Sequence, residues 1–275
     1  MPIALQAALL GIVQGATEFL PVSSTAHLIL ARSCFGFDGD KFGLAFDVAC
    51  HVGTLVAVLV YFRTEVAQMI AALPRLFDPA DRGARLIWLL VVGTIPAVVV
   101  GLLFKHAIEE NWRTPGVSAA ALAIGGVGLL IAERTGSKTR TEQDMSLGEA
   151  FWIGCAQAVA LVPGVSRSGA TLTLALLFGF RRTEAARFIF LLSIPAILAA
   201  AASEAPNMIK IVRTDQGGDM ALLFAIGVVT SAIVGFMAVK YLIRYLADHS
   251  LDVFAWYRLA LAAAALVWLY AVASA

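Results

Sequence analysis

Two short polar runs interrupt an otherwise apolar chain, and both carry residue types suited to work on an anion. The first reads Gln14-Gly-Ala-Thr-Glu18-Phe-Leu-Pro21-Val-Ser23-Ser24-Thr25-Ala-His27. Gln14 and Glu18 are four residues apart and Ser24 and His27 three apart, so on helices either side of Pro21 each pair shares a face. A hydroxyl with an imidazole and a carboxylate nearby is the donor set for a nucleophile and its acid-base partner. The competing reading is a capping cluster, in which Ser23 and Ser24 satisfy orphan N–H groups and His27 bonds a carbonyl. Capping accounts for the serines but not for Glu18 and His27 together.

The second run reads Pro163-Gly-Val-Ser166-Arg167-Ser168-Gly169-Ala-Thr171. A hydroxyl-rich, glycine-containing turn that opens a helix leaves N–H groups at the positive end of the helix dipole. Arg167 adds a planar cation that matches phosphate oxygens two at a time. The run is therefore expected to cradle an anion, most simply phosphate. The alternative is an arginine paired with Glu18 for architecture alone.

The elements that position these runs follow from composition. Of 275 residues, 60% are apolar and 14% charged, with mean hydropathy +0.85. A soluble domain has about 45–50% apolar and about 25% charged residues, so a soluble globule is excluded and the bilayer is the solvent. Six windows are long and apolar enough to cross it: 44–62, 86–104, 116–132, 184–202, 219–239 and 253–273. Residues 3–31 and 148–180 are apolar but broken by the polar runs. Proline removes a backbone bond, and a polar run at membrane depth must be enclosed, so both are expected to be re-entrant hairpins of two half-helices. A carboxylate there costs about 2.5–3.5 kcal/mol on insertion scales, which argues that Glu18 has partners.

Hairpin plus three spans, twice over, implies a duplicated unit: an all-α polytopic membrane domain, with repeats of about 1–132 and 146–275. Gln14 and Gln157 precede Pro21 and Pro163, and each proline is followed three residues later by Ser24 or Ser166. Gly93 and Gly101 match Gly227 and Gly235. Three spans per copy is odd, so the repeat is inverted, and broken helices from both copies meet near the midplane. The loops holding Arg32, Lys41, Lys105, Arg113, Lys210 and Arg213 are poor in basic residues beside those on the opposite side, which makes the opposite side cytoplasmic. Both termini and the mouth of the first hairpin then face outward. The N-terminus lacks a basic n-region and is expected to belong to the mature fold.

Other residues read more plainly. Asp47 and His51, four apart, could line the entrance to the site but are expected rather to form a boundary pair at headgroup level, and Arg258 to snorkel from the last span rather than act in catalysis. Residues 64–77 form an amphipathic stretch expected to lie along the interface, ending before Asp78-Pro79. Residues 133–149 form a polar linker expected to be solvated, and Trp112, Trp152 and Trp256 are interfacial anchors. Cys34, Cys50 and Cys155 have no metal-ligand spacing and read as packing residues. No basic patch suggests nucleic acid, and nothing suggests an organic cofactor. Oligomeric state is not legible.

The segments QGATEFLPVSSTAHL (14–28) and PGVSRSGAT (163–171) resemble the two signature regions of the undecaprenyl pyrophosphate phosphatases, the bacterial bacitracin-resistance family, in the right order and over essentially the whole chain. The resemblance implies hydrolysis of the terminal phosphate of undecaprenyl pyrophosphate in the bacterial cytoplasmic membrane, returning a lipid carrier to peptidoglycan synthesis. It implies catalytic roles for Glu18, Ser24, His27 and Arg167. Substrate binding would fall to Gln14, Ser23, Ser166, Ser168, Gly169 and Thr171. Gln14 stands where many members have glutamate, so Glu18 is the one carboxylate left to hold a divalent cation, Mg²⁺ or Ca²⁺. Ser24 would attack phosphorus with His27 as acid-base partner, or water would attack directly. The rival function is a polyprenyl-phosphate flippase or transporter using the same midplane anion site.

Overall fold

The computed structural model describes residues 1–39, 41–78, 80–213 and 217–273, excluding the side chains of Lys105, His106, Glu109 and Ala273. Pro79 and the side chain of Lys105, both used in the sequence reading, lie outside the described residues. The first hairpin is α1 (Ile3–Thr17) and α2 (Ser24–Phe35). It is followed by α3 (Leu44–Tyr61), the short α4 (Arg63–Ala72), α5 (Arg82–Asn111) and α6 (Pro115–Thr135). The second hairpin is α7 (Leu147–Val159) and α8 (Arg167–Leu177). Then come α9 (Arg182–Val212), α10 (Gly217–Asp248) and α11 (Asp252–Ala273). Six of these, α3, α5, α6, α9, α10 and α11, are long and apolar enough to cross a membrane. The chain is a multi-pass membrane protein built of helices, as its composition requires.

Both hairpins are broken where the polar runs fall, because each run supplies a cap for the outgoing helix. Ser23 caps α2, its Oγ accepting from Ala26 N–H at 3.4 Å, and Ser166 caps α8, its Oγ accepting from Gly169 N–H at 3.1 Å. The two caps share an unusual backbone, φ 70° at Ser23 and φ 72° at Ser166. A non-glycine residue held there costs on the order of 1–3 kcal/mol and persists only where its surroundings fix it.

This corrects the internal alignment. Ser166 corresponds to Ser23, not Ser24, because cap geometry rather than distance from proline defines the equivalence. Gln14 and Gln157 then lie equally far before their caps, and Ser24 falls at the position of Arg167, so one hairpin supplies a hydroxyl where the other supplies a cation.

The two hairpins exchange partners. Helix α1 packs against α10 and α7 against α5, while α6 pairs with α11 and α3 with α9. The exchanged contacts need glycine at two matching positions. A Cβ on Gly11 of α1 would come within 2.9 Å of the Gly227 carbonyl oxygen, and one on Gly154 of α7 within 2.9 Å of the Gly93 carbonyl carbon. Backbones therefore touch directly, the small-residue packing expected where lipid supplies no hydrophobic drive between helices.

The linker 133–149 is exposed over much of its length, as a solvated loop should be, but it is pinned in place. Arg140 bonds Glu149 at 2.5 and 3.1 Å, donates to the Phe178 and Asp144 carbonyls at 2.8 Å, and lies over the buried Phe180 ring. Hydrogen bonds from the Thr141 N–H and hydroxyl hold the Asp144 carboxyl below the usual carboxylate range. Glu133, beneath it, pairs with Arg182 and caps Leu251 N–H at 3.1 Å. Cys34 is exposed rather than packed. The stretch after α3 does form α4 and leaves Ile70, Leu73 and Phe77 exposed, as an interfacial segment requires. Trp112, at the end of α5, and Trp256, near the start of α11, are exposed, as is Trp152 in the middle of α7.

Candidate active site

Glu18, at the C-terminal end of α1, is the hub on which both hairpin tips converge. Its carboxylate is 6% exposed and is fully engaged. Oε2 accepts from Gln14 Nε2 at 2.8 Å and from Ser24 Oγ at 2.6 Å, and lies 3.3 Å from His51 Nε2. Oε1 accepts from Arg167 of the second hairpin at 2.5 Å. A buried carboxylate needs such partners to remain charged. The tips are also joined through backbone, Ser168 Oγ donating to the Leu20 carbonyl at 2.8 Å. Convergence of the two runs, expected from the repeat, is borne out by these contacts.

Beside this cluster lies a cavity of about 330 Å³. Glu18, Ser23, Ser24, His51, Ser166 and Arg167 line its polar end. Its walls are apolar stretches of α5 (Ala97, Val98, Gly101, Leu102) and α9 (Ala196, Ile197, Ala199, Ala200). On α5, Leu102 and Leu103 are 73% and 72% exposed, which in a bilayer is a lipid-facing surface.

Several expected site residues are placed elsewhere. His27 does not meet Ser24: its Nδ1 bonds the Ser23 carbonyl at 2.8 Å and its Nε2 the Tyr257 hydroxyl at 2.8 Å. Its ring stacks on Tyr257, outside the cavity lining. The imidazole beside Glu18 and Ser24 is instead His51, which is therefore no headgroup boundary residue. Ser168 and Thr171 spend their hydroxyls on backbone carbonyls, and Gly169 packs at the Arg258 guanidinium; none of the three lines the cavity. Gln14 reaches Glu18 rather than the cavity. Asp47, four residues from His51, turns away to pair with Arg32 and with Arg113 at 2.7 Å. A histidine two turns inside an apolar span was the available signal for His51.

Arg258 does not snorkel. It is fully buried and donates to five carbonyls: Pro21 of the first tip at 3.1 Å, Gly164 and Val165 of the second at 3.2 and 2.9 Å, and Ala121 and Leu122 of α6 at 3.2 Å each. One guanidinium thus ties both turns to the same helix. With the His27 and Tyr257 contact it supplies the surroundings that fix the strained cap at Ser23.

For a divalent cation the donor set is sparse. Among the described residues no group of three or more His, Cys, Asp or Glu side chains could hold one. Glu18 is the one carboxylate at the tips, and the Gln14 Oε1 beside it is buried without a hydrogen-bond partner. Such a pair cannot cage an ion. It fits Mg²⁺ in its usual role, held by one or two protein oxygens together with substrate phosphates.

Comparison with known proteins supplies the family. A family model described as bacitracin resistance protein BacA matches residues 7–264. The chain is 48% identical to the undecaprenyl-diphosphatase of Rubrobacter xylanophilus over 94% of its own length and 96% of the relative's. It is 44% identical to the protein of the same name from Trichlorobacter lovleyi, over 93% of each. The Desulforudis audaxviator protein, also so named, is 46% identical over 92% of each. Similarity of this depth spans both hairpins and all six long helices, and the chain belongs to the bacitracin resistance protein BacA family.

Proposed function

We propose that the protein is an undecaprenyl-diphosphate phosphatase, removing the terminal phosphate of undecaprenyl pyrophosphate to return the monophosphate carrier to cell-wall synthesis. The observation that carries the reading is the 2.6 Å bond from Ser24 Oγ to Glu18, on the wall of a cavity that also presents Arg167. The names of its relatives support the same substrate. Apolar walls on α5 and α9 suit a polyprenyl chain next to an anionic head.

Ser24 Oγ attacks the terminal phosphorus, and its proton passes to Glu18 Oε2. The bond from phosphorus to the bridging oxygen breaks, and undecaprenyl phosphate leaves with the electron pair. Water then cleaves the phosphoserine, its oxygen bonding phosphorus as the bond to Ser24 Oγ breaks and Glu18 returns the proton to that oxygen, releasing inorganic phosphate. Arg167 moves from Glu18 onto the equatorial oxygens, where developing charge makes a preformed donor most effective, and its departure leaves Glu18 a stronger base. His51 holds the carboxylate in place. A divalent cation on Glu18 and Gln14 Oε1 would neutralise part of the diphosphate charge.

The test is phosphate release from undecaprenyl pyrophosphate by the purified protein, before and after exhaustive chelation. Release by untreated protein, lost on chelation and restored by Mg²⁺ or Ca²⁺, is expected. No release in either condition overturns the phosphatase, and full activity after chelation overturns the cation alone.

We further infer residence in the bacterial cytoplasmic membrane as two inverted copies, about 1–132 and 146–275, with both termini and the cavity mouth outward. The charge asymmetry of the loops and the exchanged packing of α1 and α7 support this. In a variant keeping Cys34 alone, a membrane-impermeant maleimide added to intact cells should label that exposed thiol; labelling only after lysis would invert the orientation.

A further inference from the structure

The cavity that holds Ser24 and Arg167 is lined by a second guanidinium, Arg113, in the short connection between α5 and α6. Its NH2 donates to Asp47 Oδ2 at 2.7 Å. Asp47 does not depend on it. Arg32 contacts both oxygens of the same carboxylate, donating to Oδ2 at 3.2 Å and, closer still, to Oδ1. Two guanidiniums therefore share one carboxylate, and the pair from Arg32 alone keeps Asp47 compensated. Arg113 can leave without stranding a buried charge, the event that makes breaking most buried pairs costly.

Arg167 rests on Glu18 and supplies a single cation when it moves onto the substrate. A diphosphate carries at least two negative charges, so one guanidinium leaves it under-compensated in a low-dielectric site. Resting on the phosphatase reading above, we propose that Arg113 is a second phosphate-binding residue. It swings from Asp47 into the cavity to hold the phosphate group that Arg167 does not, and so selects diphosphates over monophosphates. Its five donors and planar fork suit that role better than a lysine would.

The test separates this from the catalytic reading because it needs no turnover. Binding of methylenediphosphonate, whose P–C–P bridge is not hydrolysed, is compared with binding of orthophosphate by titration calorimetry on the purified protein. Wild type should prefer the diphosphonate. Arg113→Gln should weaken diphosphonate binding about tenfold, the loss of a charge-assisted contact, and change orthophosphate binding by less than about twofold. Arg113→Lys should retain part of the preference, which guards against misfolding as the cause. Absence of any wild-type preference, or an equal loss for both anions in Arg113→Gln, overturns the proposal, whatever the phosphatase assay shows. Discrimination without phosphate release would leave Arg113 in place and remove the enzymatic reading.

Discussion

Ser24→Ala should abolish phosphate release, lowering the rate by about three orders of magnitude or more while the protein stays folded. Ser24 Oγ is the hydroxyl bonded to Glu18, at 2.6 Å and on the cavity wall, whereas the neighbouring Ser23 is a helix cap with positive φ. Alanine is a better helix former than serine, and Ser24 is the first residue of α2 rather than its cap, so stability should change little. Glu18→Gln should lose activity to a similar degree, since it removes the proton acceptor and leaves Arg167 without its partner. The double variant should lose little more than either single one, because groups acting as one unit are not additive. Rapid quench with substrate labelled on its terminal phosphate should trap the label on Ser24. A Ser24→Ala enzyme retaining a tenth of wild-type activity would exclude the covalent route and leave water, activated by Glu18, as the nucleophile.

Arg258→Ala should have the largest effect on the fold. Five backbone carbonyls from two hairpin turns and α6 lose their donor at once, in a place where water cannot easily replace it. Removing one partner from a buried charged network costs about 3–5 kcal/mol, a large share of the roughly 5–15 kcal/mol that holds a typical protein together. Thermal unfolding in detergent should shift down sharply, or the variant should fail to accumulate. Arg258→Lys should recover only part of the loss, because three donors on one ammonium cannot reach both turns and α6 together. Gly125 and Gly169 lie against the same guanidinium, so the site is shaped for arginine. A wild-type melting temperature for Arg258→Ala would show that the turns hold themselves.

The two results bear on one design. Ser24, the proposed nucleophile, sits directly after a cap whose backbone is strained, and strain of that kind must be countered from outside the turn. Arg258 and Tyr257, neighbours on α11, do this from the side away from the cavity: one through Pro21, the other through His27 to the Ser23 carbonyl. The cavity face of the turn is thereby left to Glu18, His51 and Arg167. His27 bonds the turn that presents Ser24.

By itself the sequence determined the membrane character, the six spans, the two broken hairpins and the meeting of Glu18, Ser24 and Arg167. Each rests on local chemistry: a run of apolar residues must stay in lipid, proline must end a helix, and polar residues at that depth must enclose one another. Gln14 and Glu18 met for the same reason, four residues apart on one helix. Which imidazole completes the site was decided by tertiary structure. His27 and His51 are equally polar in an apolar chain, and only the placement of α3 against the first hairpin brings His51 to Glu18, while α11 draws His27 away. Arg258 is the clearest case. Its position near a helix end permits snorkelling, and nothing local reveals that five carbonyls freed by two distant turns converge on it. The same holds for the equivalence of Ser23 with Ser166, which lies in backbone angles rather than in residue order. Helices and their breaks are short-range consequences of the chain, but the partners of a buried polar group are chosen by whatever the fold leaves unsatisfied nearby.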